Sequence, residues 1–247
     1  KQKTLRGGQT TQPASGGKEF EATQQTEDPK QQVKLLLQFV DQHPESTFVF
    51  DAIRNVLRKS KEAEISEEDL RGLIERYQAW GQQWGRRLSL SVLESIAYDL
   101  GTADAHPAIA LEYAQKTTEA LGEDASMLQK YSAQLTLAIA ELRNGNAQES
   151  KKLLDDLNEK DPDNIESRYY HALADEKLGE VDAAIDSLAE LWPQPLVTRE
   201  LERLWKDKNG SLAGLEERLD GVYLKRFPPI AVETFAGRED AANDQVV

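Results

Sequence analysis

The residue types that most often perform chemistry are scarce in this sequence. There is no cysteine and there are only 3 histidines among 247 residues, which excludes a disulfide framework, a thiolate metal site and a cysteine nucleophile. The motifs GxGxxG, HExxH and GxSxG and the phosphate-binding GxxxxGK[ST] are absent. The acidic stretch 158–164 lacks the glycine and the bidentate glutamate of a calcium loop. We therefore predict a protein that is not an enzyme and that holds no metal and no cofactor.

Each histidine also has an ordinary structural interpretation. His43 and His106 both precede a proline, a position at which helices usually end. His171 follows two tyrosines in a predicted helix, where packing at a helix interface is its commoner role. A small-ligand site beside Tyr170 is the alternative, and the sequence leaves both open.

Composition limits the class of partner. Asp and Glu number 44 against 30 Lys and Arg, and the formal net charge is -14. An acidic protein is poorly suited to non-specific binding of nucleic acid or anionic lipid, and no apolar run is long enough for a membrane span. Residues 1–27 are rich in Gly, Gln, Thr and Ser and contain four basic residues before the first acid. We expect this segment to be a flexible basic arm.

The segment 28–226 has the apolar periodicity of successive helices, and it predicts an all-α domain. Asp28 followed by Pro29 is a helix start signal, and Ser66 with Asp69 forms a second one. No run of alternating strand residues occurs before residue 230, which excludes an α/β fold. In 227–247 two prolines end the last helix. We expect an extended tail there, as the start of a truncated further domain.

The middle of the chain contains an internal repeat. Gly145 and Gly179 mark its two clearest copies, and each is followed five positions later by a small residue, Ser150 or Ala184. Leucines then follow in register, and a third copy upstream keeps their spacing. These residues are Leu154 and Leu157, Leu188 and Leu191, and the upstream Ala114, Thr118 and Leu121.

This pattern, with the interval from Gly145 to Gly179 as its period, resembles the tetratricopeptide repeat (TPR), a helix–turn–helix unit of about 34 residues. The resemblance covers residues 87–195, although Gln134 and Arg168 stand where the family has an aromatic residue. It implies a TPR-like right-handed array of antiparallel helix pairs, in which the first helix of each pair lines a concave face. The protein would then be a non-catalytic scaffold for protein–protein interaction.

The concave positions implied by the family pattern are apolar in this chain. They are Leu135 and Ile139 in one repeat and Tyr169 and Leu173 in the next. Such side chains cannot hold a terminal carboxylate, as the family's peptide clamp does with Lys and Asn. We predict that these four residues, with His171 beside them, contact a protein or peptide partner or an adjoining domain of the same polypeptide.

The C-terminal run 209–240 is similar to the segment that leads into the thioredoxin-like domain of some exported bacterial proteins. This resemblance implies a second hypothesis, in which the chain is the helical accessory region of an oxidoreductase whose redox motif lies outside it. It also implies an exported, periplasmic or cell-envelope location. The residues themselves leave a cytoplasmic location open.

Overall fold

The computed structural model describes residues 16–226, and all regular secondary structure within that range is α-helical. The prediction of an all-α fold is confirmed for this part of the chain. The helices are α1 (Gly17–Gln24), α2 (Pro29–Gln42), α3 (Val49–Lys59), α4 (Glu67–Gln83), α5 (Arg86–Thr102), α6 (Pro107–Ala120), α7 (Met127–Arg143), α8 (Ala147–Lys160), α9 (Ile165–Lys177), α10 (Val181–Leu191), α11 (Pro195–Asn209) and α12 (Leu215–Arg226).

Local capping residues begin several of these helices. The side chains of Asp28, Ser66, Ser126 and Asn164 each accept a hydrogen bond from the backbone N–H three positions later. This bond satisfies one of the donors that the first turn leaves without an intrahelical partner. The structure therefore confirms the two helix starts predicted at Asp28 and Ser66.

The short helix α1 lies inside the segment predicted to be a flexible arm. Phe20 stacks on Phe48, with ring centroids 5.0 Å apart, and its ring centroid lies 5.6 Å from that of Phe39. Gln32 of α2 also donates a hydrogen bond to the carbonyl of Thr23. A single aromatic residue in a polar stretch leaves little hydrophobic pattern, so composition did not reveal this anchor. Residues 1–15 lie outside the described range, and the rest of the arm stays a prediction.

The chain divides into two compact units, of which the first ends at Leu178 and the second begins at Gly179. In the first unit each helix from α2 to α8 packs against the next helix along the chain. In addition, α3 packs on α5, α5 on α7 and α7 on α9. Helices α3, α5, α7 and α9 therefore form one layer, an arrangement that is compatible with a helical repeat.

Close approach between neighbouring helices of the first unit depends on small residues. A Cβ atom at Gly101 of α5 would lie 3.1 Å from Cγ2 of Ile139 in α7. Between α7 and α8, the buried hydroxyl of Ser150 donates to the carbonyl of Ala138 at 2.7 Å. Ser150 is the small residue that the repeat pattern singled out, and the hydrogen bond lets a polar side chain remain buried there.

The second unit, as far as it is described, consists of α10, α11 and α12. Helix α10 packs against both other helices. Ion pairs join Asp182 of α10 to Lys208 of α11, and Asp186 to Arg218 of α12. The predicted extended tail, 227–247, lies outside the described residues. None of the helices in 16–226 is long and apolar enough to cross a membrane.

The repeat glycine Gly145 gives a test of the turn between α7 and α8. Its φ is 91°, in the left-handed region that favours glycine, and nothing lies within 4 Å of an added Cβ. We expect Gly145→Ala to lower the free energy of unfolding by about 1 kcal/mol, through backbone strain alone. Urea unfolding followed by circular dichroism measures this change.

Gly72→Ala is the matched control for that variant. Gly72 is exposed inside α4, and a Cβ there also meets nothing within 4 Å. Because Ala is the better helix former, we expect this control to raise the free energy of unfolding by about 1 kcal/mol. An unchanged or more stable Gly145→Ala variant would show that the turn does not require a positive φ.

Candidate functional site

A cleft of about 390 Å³ opens on the layer formed by α3, α5, α7 and α9. Four helices, α3, α5, α7 and α9, contribute side chains to it, and its lining is mostly polar. The lining residues are Arg54 of α3, Ser91, Glu94, Ser95 and Tyr98 of α5, Ser132, Leu135 and Thr136 of α7, and Glu166 of α9.

Two carboxylates of the cleft are held in place by hydroxyl groups. The Tyr98 hydroxyl donates to Oε1 of Glu166 at 2.6 Å, and the Ser132 hydroxyl donates to Glu94. Burial, and then the hydrogen bond to Glu166, raise the pKa of Tyr98 above its ordinary value. No Lys or Arg within residues 16–226 forms an ion pair with either glutamate. The cleft thus has two oriented carboxylates that no Lys or Arg in the described part of the chain contacts in a direct ion pair.

Arg54, the basic residue among the described residues that line this cleft, is already bound to a buried acid. Its Nε and Nη2 atoms donate to the two oxygens of Asp99 at 2.7 and 3.0 Å. Arg58 donates to Asp99 from its own Nε at 2.8 Å. The hydrogen bond to Asp99 raises the pKa of the Arg54 guanidinium above its ordinary value. Asp99 is shared by two guanidinium groups and compensates only one of their two positive charges, so net positive charge remains at the cleft wall.

A second cavity of about 470 Å³ continues from the first, because Ser91 and Glu94 line both. Its lining adds apolar side chains, including Leu90 and Leu121, and the exposed Arg87. Leu128 at the start of α7 also lines it, with 76% of its surface exposed. The two cavities together offer one bound chain a polar section and a second section in which leucine side chains lie among polar ones.

The four apolar residues predicted as partner contacts are all buried. Leu135, Ile139, Tyr169 and Leu173 lie on α7 and α9, and none is more than 7% exposed. Of these, Leu135 is the one that lines the cleft. In this conformation the four residues therefore belong mainly to the packed interior, and their contact with a partner stays a prediction.

His171 links α9 to α8. Its Nε2 atom lies 2.9 Å from Oδ1 of Asp155, and its Nδ1 atom lies 3.3 Å from Oδ2 of Asp175. Asp175 is buried and also pairs with Lys151 of α8 at 2.7 Å. His171 is thus part of an ion-pair network between two packed helices. Among residues 16–226, no three His, Asp or Glu side chains converge as metal ligands would.

The cleft joins residues that are distant in the chain, and sequence reasoning missed it. Tyr98 of α5, Ser132 of α7 and Glu166 of α9 line the same cleft, although Tyr98 and Glu166 are 68 residues apart. The internal repeat gives no signal for this set, because the contacts between α5 and α7 join positions 38 residues apart, as Glu94 and Ser132 do.

Comparison with known proteins returns no match: no protein-family model fits this sequence, and no curated protein is significantly similar to it.

The Asp99 ion pair at the cleft wall leads to a prediction about stability. Asp99 is fully buried, so Asp99→Asn would leave two guanidinium groups without their carboxylate. We expect the free energy of unfolding to fall by about 2 kcal/mol, less than for a fully buried pair because both arginines are partly exposed. Asp41→Asn, in an exposed pair with Arg76, is the matched control and should stay near wild type. Equal urea midpoints for the two variants would contradict this expectation.

Proposed function

We propose that this chain is a non-catalytic interaction scaffold that binds an extended segment of a partner protein. The binding site is the cleft formed by α3, α5, α7 and α9, together with the adjoining second cavity. The observation on which this proposal rests is the convergence of Tyr98, Ser132 and Glu166, from three helices that pack side by side, in one cleft. A surface built from successive repeats suits a chain better than a single small ligand.

The proposal includes a TPR-like right-handed array for the repeat region. Its support is the side-by-side packing of α5, α7 and α9, with intervening helices packed on each. The positive φ of Gly145 and Gly179, at 91° and 83°, also suits the tight turns of such a repeat. The departures at Gln134 and Arg168 make the repeats degenerate members of that pattern.

The absence of catalysis is also part of the proposal. The hydroxyls of Tyr98 and Ser132 donate to carboxylates in the cleft. No histidine is among the described residues that line it, so they do not supply the imidazole base that usually activates a serine nucleophile. A binding role needs only the shape and polarity that the cleft has.

The accessory role beside a thioredoxin-like domain, and the exported location, rest on the resemblance of residues 209–240. Most of the distinctive part of that run lies beyond Arg226, outside the described range. Both stay predictions, and the scaffold proposal depends on neither.

A cleft-filling substitution tests the scaffold proposal. Ser91 lines both cavities, and its hydroxyl donates to the carbonyl of Arg87 in its own helix. We expect Ser91→Trp to weaken binding of peptides, selected from a random library on the wild-type chain, by about tenfold or more. Peptides of ~10 residues are long enough to pass both cavities at ~3.3 Å per residue. Fluorescence anisotropy measures the affinities.

Gln115→Trp is the control, because Gln115 is exposed on α6 and lines neither cavity. It should bind the selected peptides as the wild type does. If Ser91→Trp also binds them unchanged, or if no peptide is selected, the cleft is not the binding site and the proposal fails.

A further inference from the structure

Given the proposed binding of a partner segment, the cleft chemistry identifies the kind of residue that segment presents. We propose that a lysine or arginine side chain of the partner lies between Glu94 and Glu166, with an adjacent apolar residue against Leu128. This inference rests on the proposed function and goes beyond it, because a scaffold with this cleft could in principle select any sequence.

The two glutamates are suited to receive a cation. Each accepts one hydroxyl hydrogen bond, from Ser132 or from Tyr98, whereas an ionised carboxylate can accept about four. The remaining acceptor positions of Glu94 and Glu166 have no basic partner in residues 16–226. An ammonium or guanidinium group supplies several donors and a positive charge, and bonds between two charged groups are the stronger ones.

A third group in the cleft also lacks a partner. Thr136 lines the cleft on α7 and is only 1% exposed. Its hydroxyl has no hydrogen-bond partner among the residues that the structure describes. The hydroxyl oxygen is not among the fully buried polar atoms that lack a partner, so it is accessible from the cleft and can accept a hydrogen bond from a bound ligand. Thr136 is therefore placed to accept a hydrogen bond from the same cation.

An acidic partner residue fits this cleft poorly. Arg54, the cation at its wall, already uses Nε and Nη2 to bind the buried Asp99. Arg87 lines the second cavity rather than the first. A carboxylate placed between Glu94 and Glu166 would meet like charges at close range, which disfavours binding. The net charge of -14 further attracts cationic segments toward the protein.

The second cavity favours a chain over a free amine as the occupant. It begins at Ser91 and Glu94, where the first cavity ends, and continues along the apolar side chains of Leu90, Leu121 and Leu128. A small amine would fill only the first cavity, where Glu94 and Glu166 lie. A peptide with a basic and an apolar residue close together would occupy both, and the exposed Leu128 side chain would become covered.

Selection of peptides from a random library on the full chain tests this inference. We expect the selected peptides to be enriched in Lys or Arg next to an apolar residue. Replacing the basic residue with norleucine or with Glu should weaken binding by about tenfold or more, which is the size expected for a charge-assisted contact. Free butylamine at the same concentration should not compete measurably.

Variants of the cleft give the second arm of the experiment. The double variant Glu94→Gln/Glu166→Gln should bind the basic peptides about tenfold or more weakly. Its matched control, Glu119→Gln/Glu159→Gln, removes the same charge from exposed positions outside the cleft and should bind as the wild type does. Thr136→Val keeps the side-chain shape and removes the hydroxyl, so it should bind the basic peptides several-fold more weakly and leave norleucine peptides unaffected.

The outcomes separate the two proposals. If Ser91→Trp abolishes binding but the selected peptides show no preference for Lys or Arg, the scaffold stands and the cation site is wrong. If the glutamate double variant fails to fold, as its circular dichroism spectrum would show, an unchanged Thr136→Val affinity still overturns the cation site. If basic peptides bind only after Lys1, Lys3 and Arg6 of the full chain are replaced by Gln, the chain's own arm occupies the cleft and the partner assignment is overturned.

Discussion

The buried carboxylate of Asp99 is the constraint on which the cleft depends. Burial of an ionised carboxylate lowers the stability of the folded protein by several kcal/mol unless positively charged donors surround it. Asp99 in α5 obtains those donors from Arg54 and Arg58, one turn apart on α3. The pairing fixes the register of α3 against α5 more tightly than apolar contacts alone, which tolerate sliding. It also holds Arg54 against the cleft wall, where Asp99 compensates only part of the charge of the two arginines.

From α5 onward, small residues at the helix contacts take over the ordering role of the ion pair. Gly101 lets α7 approach, and Ser150 lets α8 approach while satisfying its own hydroxyl. Side-by-side packing of α5 on α7 and of α7 on α9 brings distant parts of the chain together. Tyr98 and Glu166 can therefore form a hydrogen bond although they are 68 residues apart in the chain. The polarity of the cleft is a consequence of this stacking.

The global and the local charge of the protein suggest different levels of specificity. Net acidity affects the rate at which cations approach but does not distinguish one basic partner from another. Discrimination requires oriented groups at a fixed place, and the hydroxyls of Tyr98 and Ser132 provide that orientation for two carboxylates. Because no family model and no curated protein matches this chain, the local chemistry of this cleft is the strongest indication of function.

The sequence by itself determined the all-α fold, the helix starts at Asp28 and Ser66 and the glycine turn at Gly145. These features depend on residues within about four positions of one another, so a local pattern is sufficient to predict them. Only the tertiary structure decided that Phe20 anchors α1, that Ile139 is buried, and that Glu94 and Glu166 share a cleft. Those outcomes depend on which helix faces pack together, and packing joins residues that are distant in the chain.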